Sequence, residues 1–337
     1  MYRDSVYIVT GCTGYVGNVL TKKLLDDGCR VIGFARSEEK WERVFKDKKP
    51  QAVFGDVSKQ EDVERLFSCA PEGAVVLHTV AKVTIGEGTQ KELYDVTVTG
   101  TRLVVQACLA HKAKKLLHIS STEAMPHDFL PKEDLSDYVP DPARAKRGYA
   151  RAKSSADKIV LDAAKREGLD ASLLLFAGVL GPGDYSKSHM TQMFIDYMEG
   201  HLPASVKGGY NDFDIRDVAD VLPAIVEKSQ AGESYLFAHK PDTIHEILEI
   251  ISKVTGAKKL PALPLWLAYV GIPFLTLASK ISGKRPLYTA AALGSLKAKT
   301  NFPIEKAVKQ FGYSPRPLEE TVTDHVRFLI ENGMVRV

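Results

Sequence analysis

The chain has 337 residues, 45% of them hydrophobic and 26% charged, with a formal net charge of +3 at pH 7. That length suits one large α/β domain or a domain with a smaller lobe, and the composition is that of an ordinary globular protein. The near-balanced charge, with no Lys/Arg block and no interleaved aromatic stripe, argues against a nucleic-acid surface.

Cys12, Cys29, Cys69 and Cys108 form no CxxC pair and lie far from any histidine at metal-ligand spacing, so they read as small buried thiols and no metal is expected. Free thiols suit a reducing compartment, and a first strand that starts almost at Met1 leaves no place for a signal peptide. A cytoplasmic location is expected.

From Ser5 to about Ile119 short apolar runs alternate with longer amphipathic ones. Val6–Val9, Arg30–Phe34, Ala52–Phe54, Val75–His78 and Lys115–Ile119 read as strands, with helical patterns at Tyr15–Asp26, Glu39–Phe45, Glu61–Phe67 and Gly100–His111. A further helix over Tyr149–Glu167 and a strand over Ala171–Phe176 continue the pattern. Such alternation predicts a parallel sheet covered on both faces, with ligands beyond the carboxyl ends of its strands.

Beyond Gly181 the regularity fades, leaving clear amphipathic helices within 241–256 and over Leu318–Glu331. We therefore expect a main domain over 1–180 and a substrate lobe over 181–337, some of whose segments return to the main domain. The stretch Leu260–Ile281 is strongly apolar and just long enough to span a membrane, but Pro261, Pro264 and Pro273 break it. It reads as a lid over an apolar cleft or as core in preference to a membrane contact.

The run TGCTGYVG (Thr10–Gly17) sits between the first strand and the first helix. A side chain at Gly11 would obstruct the tight turn, at Gly14 it would hold a pyrophosphate away, and at Gly17 it would push helix from strand. The helix N-terminus then offers N–H groups and a positive dipole end to phosphates. At the tip of the second strand stands Arg36, with no carboxylate in the place that would bond both ribose hydroxyls of NAD. A guanidinium suits a 2′-phosphate by charge and geometry, so NADP is preferred over NAD.

These features resemble the extended short-chain dehydrogenase/reductases. Thr10, Gly11, Gly14 and Gly17 match that family's TGxxGxxG, Asp56-Val57 stands where it holds the adenine, and His78-Thr79-Val80-Ala81 is close to its HxAA. Tyr149 and Lys153 form its YxxxK pair and share one helix face. The resemblance continues through FDIRDVAD (213–220) and residues 312–329, which covers nearly the whole chain. It implies a Rossmann-type doubly wound parallel sheet with a small, mostly helical C-terminal substrate lobe. It also implies cofactor contacts from Gly11, Thr13, Gly14, Tyr15, Val16, Gly17, Arg36, Asp56, Val57, Thr79, Val80, Ala81, Tyr149, Lys153, Ala177 and Val179.

The same resemblance places the catalytic hydroxyl on Ser121 and makes Tyr149 the general acid/base. Lys153 is expected to bind the nicotinamide ribose and to lower the tyrosine pKa, since a phenol near pKa ~10 needs a neighbouring cation to react at neutral pH. Ser120 and Thr122 read as strand-end caps. Two positions depart from the pattern: Thr97 replaces the asparagine of NxxGT, and Phe176-Ala177 replaces Arg-Pro.

Thr122-Glu123 follows Ser121 where nucleotide-sugar 4,6-dehydratases carry Asp-Glu, which disfavours dehydration, and Arg36 disfavours an epimerase with tightly held NAD. The resemblance then points to the dihydroflavonol reductase and 3β-hydroxysteroid dehydrogenase group, acting on apolar ketones and alcohols. Met190, Met193 and Phe194 would suit an apolar lining or ordinary lobe core. An epimerase and a silent NADP-binding sensor are the alternatives. His127, His189 and His201 read as loop residues without an assigned role, and Asp214, Arg216 and Asp217 as structural. A monomer is expected, or a homodimer through the helices at Gly100–His111 and Tyr149–Glu167.

Overall fold

A computed structural model describes residues 2–82, 90–126, 129, 131–132, 134–145, 148–264, 266–267 and 301–336. Strands β1 (Val6–Thr10), β2 (Arg30–Ala35), β3 (Gln51–Phe54), β4 (Val75–His78), β5 (Lys115–Ser121), β6 (Ala171–Phe176) and β7 (Ser234–Phe237) form one sheet. Their order is β7-β6-β5-β4-β1-β2-β3, and every pair is parallel. Helices α1 (Tyr15–Asp26), α2 (Glu38–Val44), α3 (Gln60–Ser68), α4 (Gln90–Tyr94), α5 (Gly100–Ala110) and α6 (Tyr149–Arg166) connect the first six strands. Because helices cover both faces, β4 and β6 are buried along their whole length and read as continuous apolar runs. The order reverses between β1 and β4, which marks the topological switch point where such sheets bind ligands.

The glycines of the first turn act through close approach. Gly11 has φ +71° and its N–H donates to the Phe34 carbonyl at 3.0 Å. A Cβ on Gly17 would lie 2.2 Å from the Gly11 carbonyl oxygen, so α1 can reach the strand only without a side chain there. Gly100 does the same for α5, where a Cβ would meet Val57 Cγ1 at 2.8 Å. Between α4 and α5, Asp95–Thr99 forms a π-helical turn, a local underwinding that periodicity does not reveal.

The chain divides into two compact units. The first holds Met1–Ala177, Ile215–Phe237 and Pro303–Ser314, and the second Gly178–Asp214, Ala238–Phe302 and Pro315–Val337. Helices α7 (His189–Met198), α8 (Ile215–Asp220), α9 (Leu222–Lys228), α10 (Ile244–Thr255), α11 (Glu305–Phe311) and α12 (Leu318–Glu331) complete the described helices. In the first unit, β7 and α11 pack through Tyr235 and Phe237 against Phe311, and Tyr313 closes on Phe237.

In the second unit, α10 starts with a capping box of Thr243 and Glu246 and ends at Gly256 with φ +75°. Ile247, Leu248 and Ile251 of α10 form a core with Val322, Val326 and Leu329 of α12. Buried His325 fixes this core to the turn at 181–184: its Nδ1 bonds the Gly181 carbonyl, and its Nε2 lies 3.1 Å from the Thr191 hydroxyl, which donates to Asp184. Among the described residues no helix is long and apolar enough to cross a membrane. Apart from Trp266 and Leu267, the stretch 265–281 lies outside the described residues.

Asp212 of the second unit is 2% exposed, and neither carboxylate oxygen has a hydrogen-bond partner among the described residues. Only a glycine fits beside it, since a Cβ on Gly178 would lie 1.7 Å from Asp212 Oδ1. Burial, and then the charge of Asp242, push the Asp212 carboxyl up to about 7. A folded-state pKa above the unfolded value means that the native chain binds the extra proton. Stability is therefore greatest below about pH 4 for this group, falls as pH rises to about 7, and stays lost above it, with a full span of roughly 4 kcal/mol. Urea midpoints measured from pH 4 to 8 should fall less in Asp212→Asn than in the wild type; equal slopes would show that Asp212 does not titrate in this window. Separately, Gly17→Ala should lower the unfolding midpoint by an amount corresponding to about 1–3 kcal/mol of overpacking.

Candidate active site

Strands β1, β4 and β5 end at the same edge of the sheet. At the end of β1, Gly14 caps α1 with extended backbone and no side-chain cap, and the first turn of α1 carries no acidic residue. The dipole end there is uncompensated, which suits phosphate. Cys12 and Thr13 are buried within the turn, whereas Tyr15 and Val16 are part-exposed on the first turn of α1. At the end of β4, the Thr79 hydroxyl donates to the Thr10 carbonyl at 2.7 Å and ties the two strand ends together. A side chain on Gly11 would collide with Val80, 2.9 Å from its Cβ position. Ala81 follows, half-buried. The turn therefore fits a dinucleotide's pyrophosphate.

Arg36 is exposed just past β2 and shares a surface cavity of about 270 Å³ with Asp56, Ser58, Lys91, Glu92, Asp95 and Val96. Asp56 Oδ1 accepts from the Ser58 N–H at 2.9 Å and the Ser58 hydroxyl at 2.7 Å. Burial alone would raise the Asp56 carboxyl, but those two bonds with the Arg36 and Lys59 charges hold it below its ordinary value. Val57 is buried against Gly100. Lys91 and Glu92, from α4, were not among the residues anticipated here, because 54 residues of intervening chain hide their approach to Arg36.

At the end of β5 the strand's alternation separates the two serines. Ser121 faces the Tyr149 hydroxyl and hydrogen-bonds it, and it also caps the short turn Thr122–Ala124. Ser120 points to the opposite side, 4% exposed, and donates to Asp157 Oδ2 at 2.7 Å. Ser120 is thus a buried partner of α6 and not a strand cap.

Tyr149 is the first residue of α6 and packs against Leu93, Val98 and Ala152. Lys153, one turn on, is 1% exposed, and its ammonium donates to the Ile119 carbonyl at 2.6 Å. Four helical residues rise about 6 Å and two strand residues about 6.6 Å, so Tyr149 meets Ser121 where Lys153 meets Ile119, with helix and strand running in opposite directions.

Burial pushes the Tyr149 phenol up to about 12, opposed by the Ser121 bond and reinforced by the Asp157 and Glu123 charges. Burial also brings Lys153 down to about 8, opposed by the Asp157 charge.

A buried polar chain lies behind these groups. Thr101 donates to the Thr97 carbonyl at 2.6 Å, so it accepts from His78 Nε2 at 3.0 Å, and His78 Nδ1 accepts from the Thr10 hydroxyl at 2.7 Å. His78 is therefore neutral with its proton on Nε2, and burial, then His118 and Lys153, hold it well below the ordinary imidazole range. Thr97, in the asparagine's place, accepts from the Lys82 N–H only at 3.4 Å.

The remaining expected residues are dispersed. Ala177 follows β6 in the first unit and donates from its N–H to the Phe237 carbonyl, whereas Val179 belongs to the second unit and pairs with Phe213. Met193 and Phe194 are core residues of the second unit, with Met190 part-buried against them, which removes Met193 and Phe194 as an open lining. His189 opens α7 and does not lie in a loop, and His127 lies outside the described residues. Asp214 is buried near Arg316, and Asp217 is buried in α8.

Residues 7–237 match the NAD dependent epimerase/dehydratase family. The chain is 26% identical to sterol demethylase protein B of Methylococcus capsulatus over 97% of its length and 99% of that protein's. It is 23% identical to a putative dihydroflavonol 4-reductase of Synechocystis over 98% and 96% of the two lengths. Among solved structures, the crystal structure of gox2253 superposes with a TM-score of 0.81 at 24% identity, covering 98% of this chain and 100% of the other. With its parallel sheet, glycine turn and YxxxK helix, the chain belongs to the NAD dependent epimerase/dehydratase family, as an oxidoreductase of the extended short-chain dehydrogenase/reductase type.

Proposed function

We propose that this protein is an NADP-preferring ketoreductase that reduces the ketone of an apolar ring-containing substrate, or oxidises the matching secondary alcohol. The observation that carries this reading is the convergence of Ser121, Tyr149 and Lys153 on the strand edge that also holds the glycine turn. The bound nicotinamide supplies or accepts the hydride. Tyr149, a phenol kept protonated at neutral pH by burial, delivers the proton to the carbonyl oxygen. Once substrate is bound the Ser121 hydroxyl turns from the phenol to donate to the same carbonyl oxygen, and the Lys153 cation offsets the negative charge left on Tyr149.

NADP is favoured by the charges around Arg36. Glu92 is engaged by Lys82 and Asp95 by Lys91, while Asp56 is occupied by Ser58. Arg36 has no ion pair within 4 Å among the described residues, leaving its guanidinium for a 2′-phosphate. The substrate class rests on the two relatives named for a sterol and a dihydroflavonol, both apolar ring systems. Epimerase chemistry on a tightly held NAD is the second reading, and the three carboxylates in the same cavity favour it.

The test is NADPH oxidation against steroid, flavonoid, aromatic and aliphatic ketones, with NADH in parallel. Turnover with NADPH and one apolar ketone class is expected, and Arg36→Ser should raise the KM for NADPH about tenfold with little change for NADH. No NADPH oxidation with any ketone, with NAD released on denaturation, would favour the epimerase instead. Tyr149→Phe should lower kcat by about 10²–10⁴-fold, and a loss under about tenfold would remove Tyr149 as the acid.

A further inference from the structure

Asp157 lies one turn beyond Lys153 on α6 and is fully buried. Its Oδ2 accepts from the Ser120 hydroxyl at 2.7 Å and from the Tyr138 hydroxyl at 2.9 Å, while its Oδ1 has no hydrogen-bond partner among the described residues. His118 Nε2 stands 3.5 Å from that Oδ1, and neither of its ring nitrogens makes a hydrogen bond among the described residues. From β4, His78 lies beside His118 with ring centroids 5.2 Å apart and the rings tilted by 33°.

The titratable and charged groups around the carboxylate are thus Lys153 and Tyr149 on its own helix, His118 on β5, His78 on β4, and Tyr138 from the loop before α6. The Glu123 charge acts on Tyr149. His78 and His118 are both held neutral by burial, and the two tyrosines are protonated. Lys153 is then the one cation of this buried set and Asp157 the one group in it that can carry the opposing charge. An ammonium removed from water deprotonates unless an anion is near, and among the described residues the Lys153 ammonium donates only to a neutral carbonyl.

We propose that Asp157 is a positioning residue, the buried counter-charge that keeps Lys153 protonated at the pH of turnover, with Ser120 and Tyr138 holding its carboxylate in the ionised form. This rests on the reading of Lys153 as part of the reductase site. It gives Ser120, on the side of β5 away from Tyr149, a function at one remove from the chemistry. The directions of the shifts agree: Asp157 raises Lys153, and Lys153 lowers Asp157 against the burial that pushes the carboxyl up to about 6.

The test follows the 13Cε resonance of Lys153 in lysine-labelled protein, assigned by its loss in Lys153→Met, with pH. In the wild type the resonance should titrate near pH 8 and register a second, smaller step near pH 6 as Asp157 protonates. In Asp157→Asn the midpoint should fall by about one unit or more and the small step should vanish, while Asp157→Glu should bring the midpoint back. Ketone reduction should show the same displacement: in Asp157→Asn the alkaline limb of kcat moves to lower pH by the same interval, with the KM for NADPH less affected than kcat. An unchanged Lys153 midpoint in Asp157→Asn overturns the proposal. If that variant does not fold, a wild-type resonance without the step near pH 6 overturns it equally. Because the resonance is read on the protein without substrate, it reports on Asp157 even if Tyr149→Phe keeps its turnover and the reductase reading fails.

Discussion

The site depends on one packing register, that of α6 laid against β5 in the opposite direction. Steps of four along the helix and two along the strand are nearly equal in length, so Tyr149 meets Ser121 and Lys153 meets the Ile119 carbonyl. One turn beyond Lys153, Asp157 accepts from Ser120 and stands 3.5 Å from His118, the two strand residues that flank Ile119. The strand's alternation then assigns its two serines to different tasks, one facing the phenol and the other facing the carboxylate. A shift of one residue in β5 would exchange them. Leu93, Val98 and Ala152, packed on the Tyr149 ring, hold the start of α6 in that register.

The second constraint is close approach at the neighbouring strand. Gly17 lets α1 lie against the Gly11 carbonyl, and Thr79, tied to the Thr10 carbonyl, occupies the space that a side chain at Gly17 would need. His78 serves the same end, because its fixed tautomer links β1 through Thr10 and α5 through Thr101. The histidine of the HxAA-like motif is therefore a strut between elements that carry the turn.

Much of this was legible in the sequence where periodicity and close approach act locally. The first six strands, α1, α5 and α12 follow their apolar spacing within a residue or two. The strand β7 was not read: it has four residues, lies after Gly232 and far from the rest of the sheet in sequence, and is recruited by pairing with β6. The π-turn at Asp95–Thr99 has no compositional sign, yet it sets where Lys91, Asp95 and Val96 face the Arg36 cavity. Ser120 was read as a cap because a hydroxyl at a strand end usually serves locally. Its partner is 37 residues away on α6, a pairing that only the fold creates. Met193 and Phe194 have the spacing of a lining and the burial of a core, and spacing alone does not separate the two.

Burial of charge separates the parts of this molecule that serve stability from those that serve chemistry. A buried ion pair is weak support for a fold, because desolvation of both partners opposes their attraction. Hydrophobic packing of the kind that joins α10 to α12 would hold α6 to β5 at lower cost. The chain instead places a lysine and an aspartate one turn apart beneath its sheet edge, and among the described residues it gives the aspartate two hydroxyl donors for its four lone-pair sites. A fully satisfied carboxylate would be more stable and would interact less with its neighbours. An incompletely satisfied one leaves more of its charge to act on Lys153, one turn before it on the same helix.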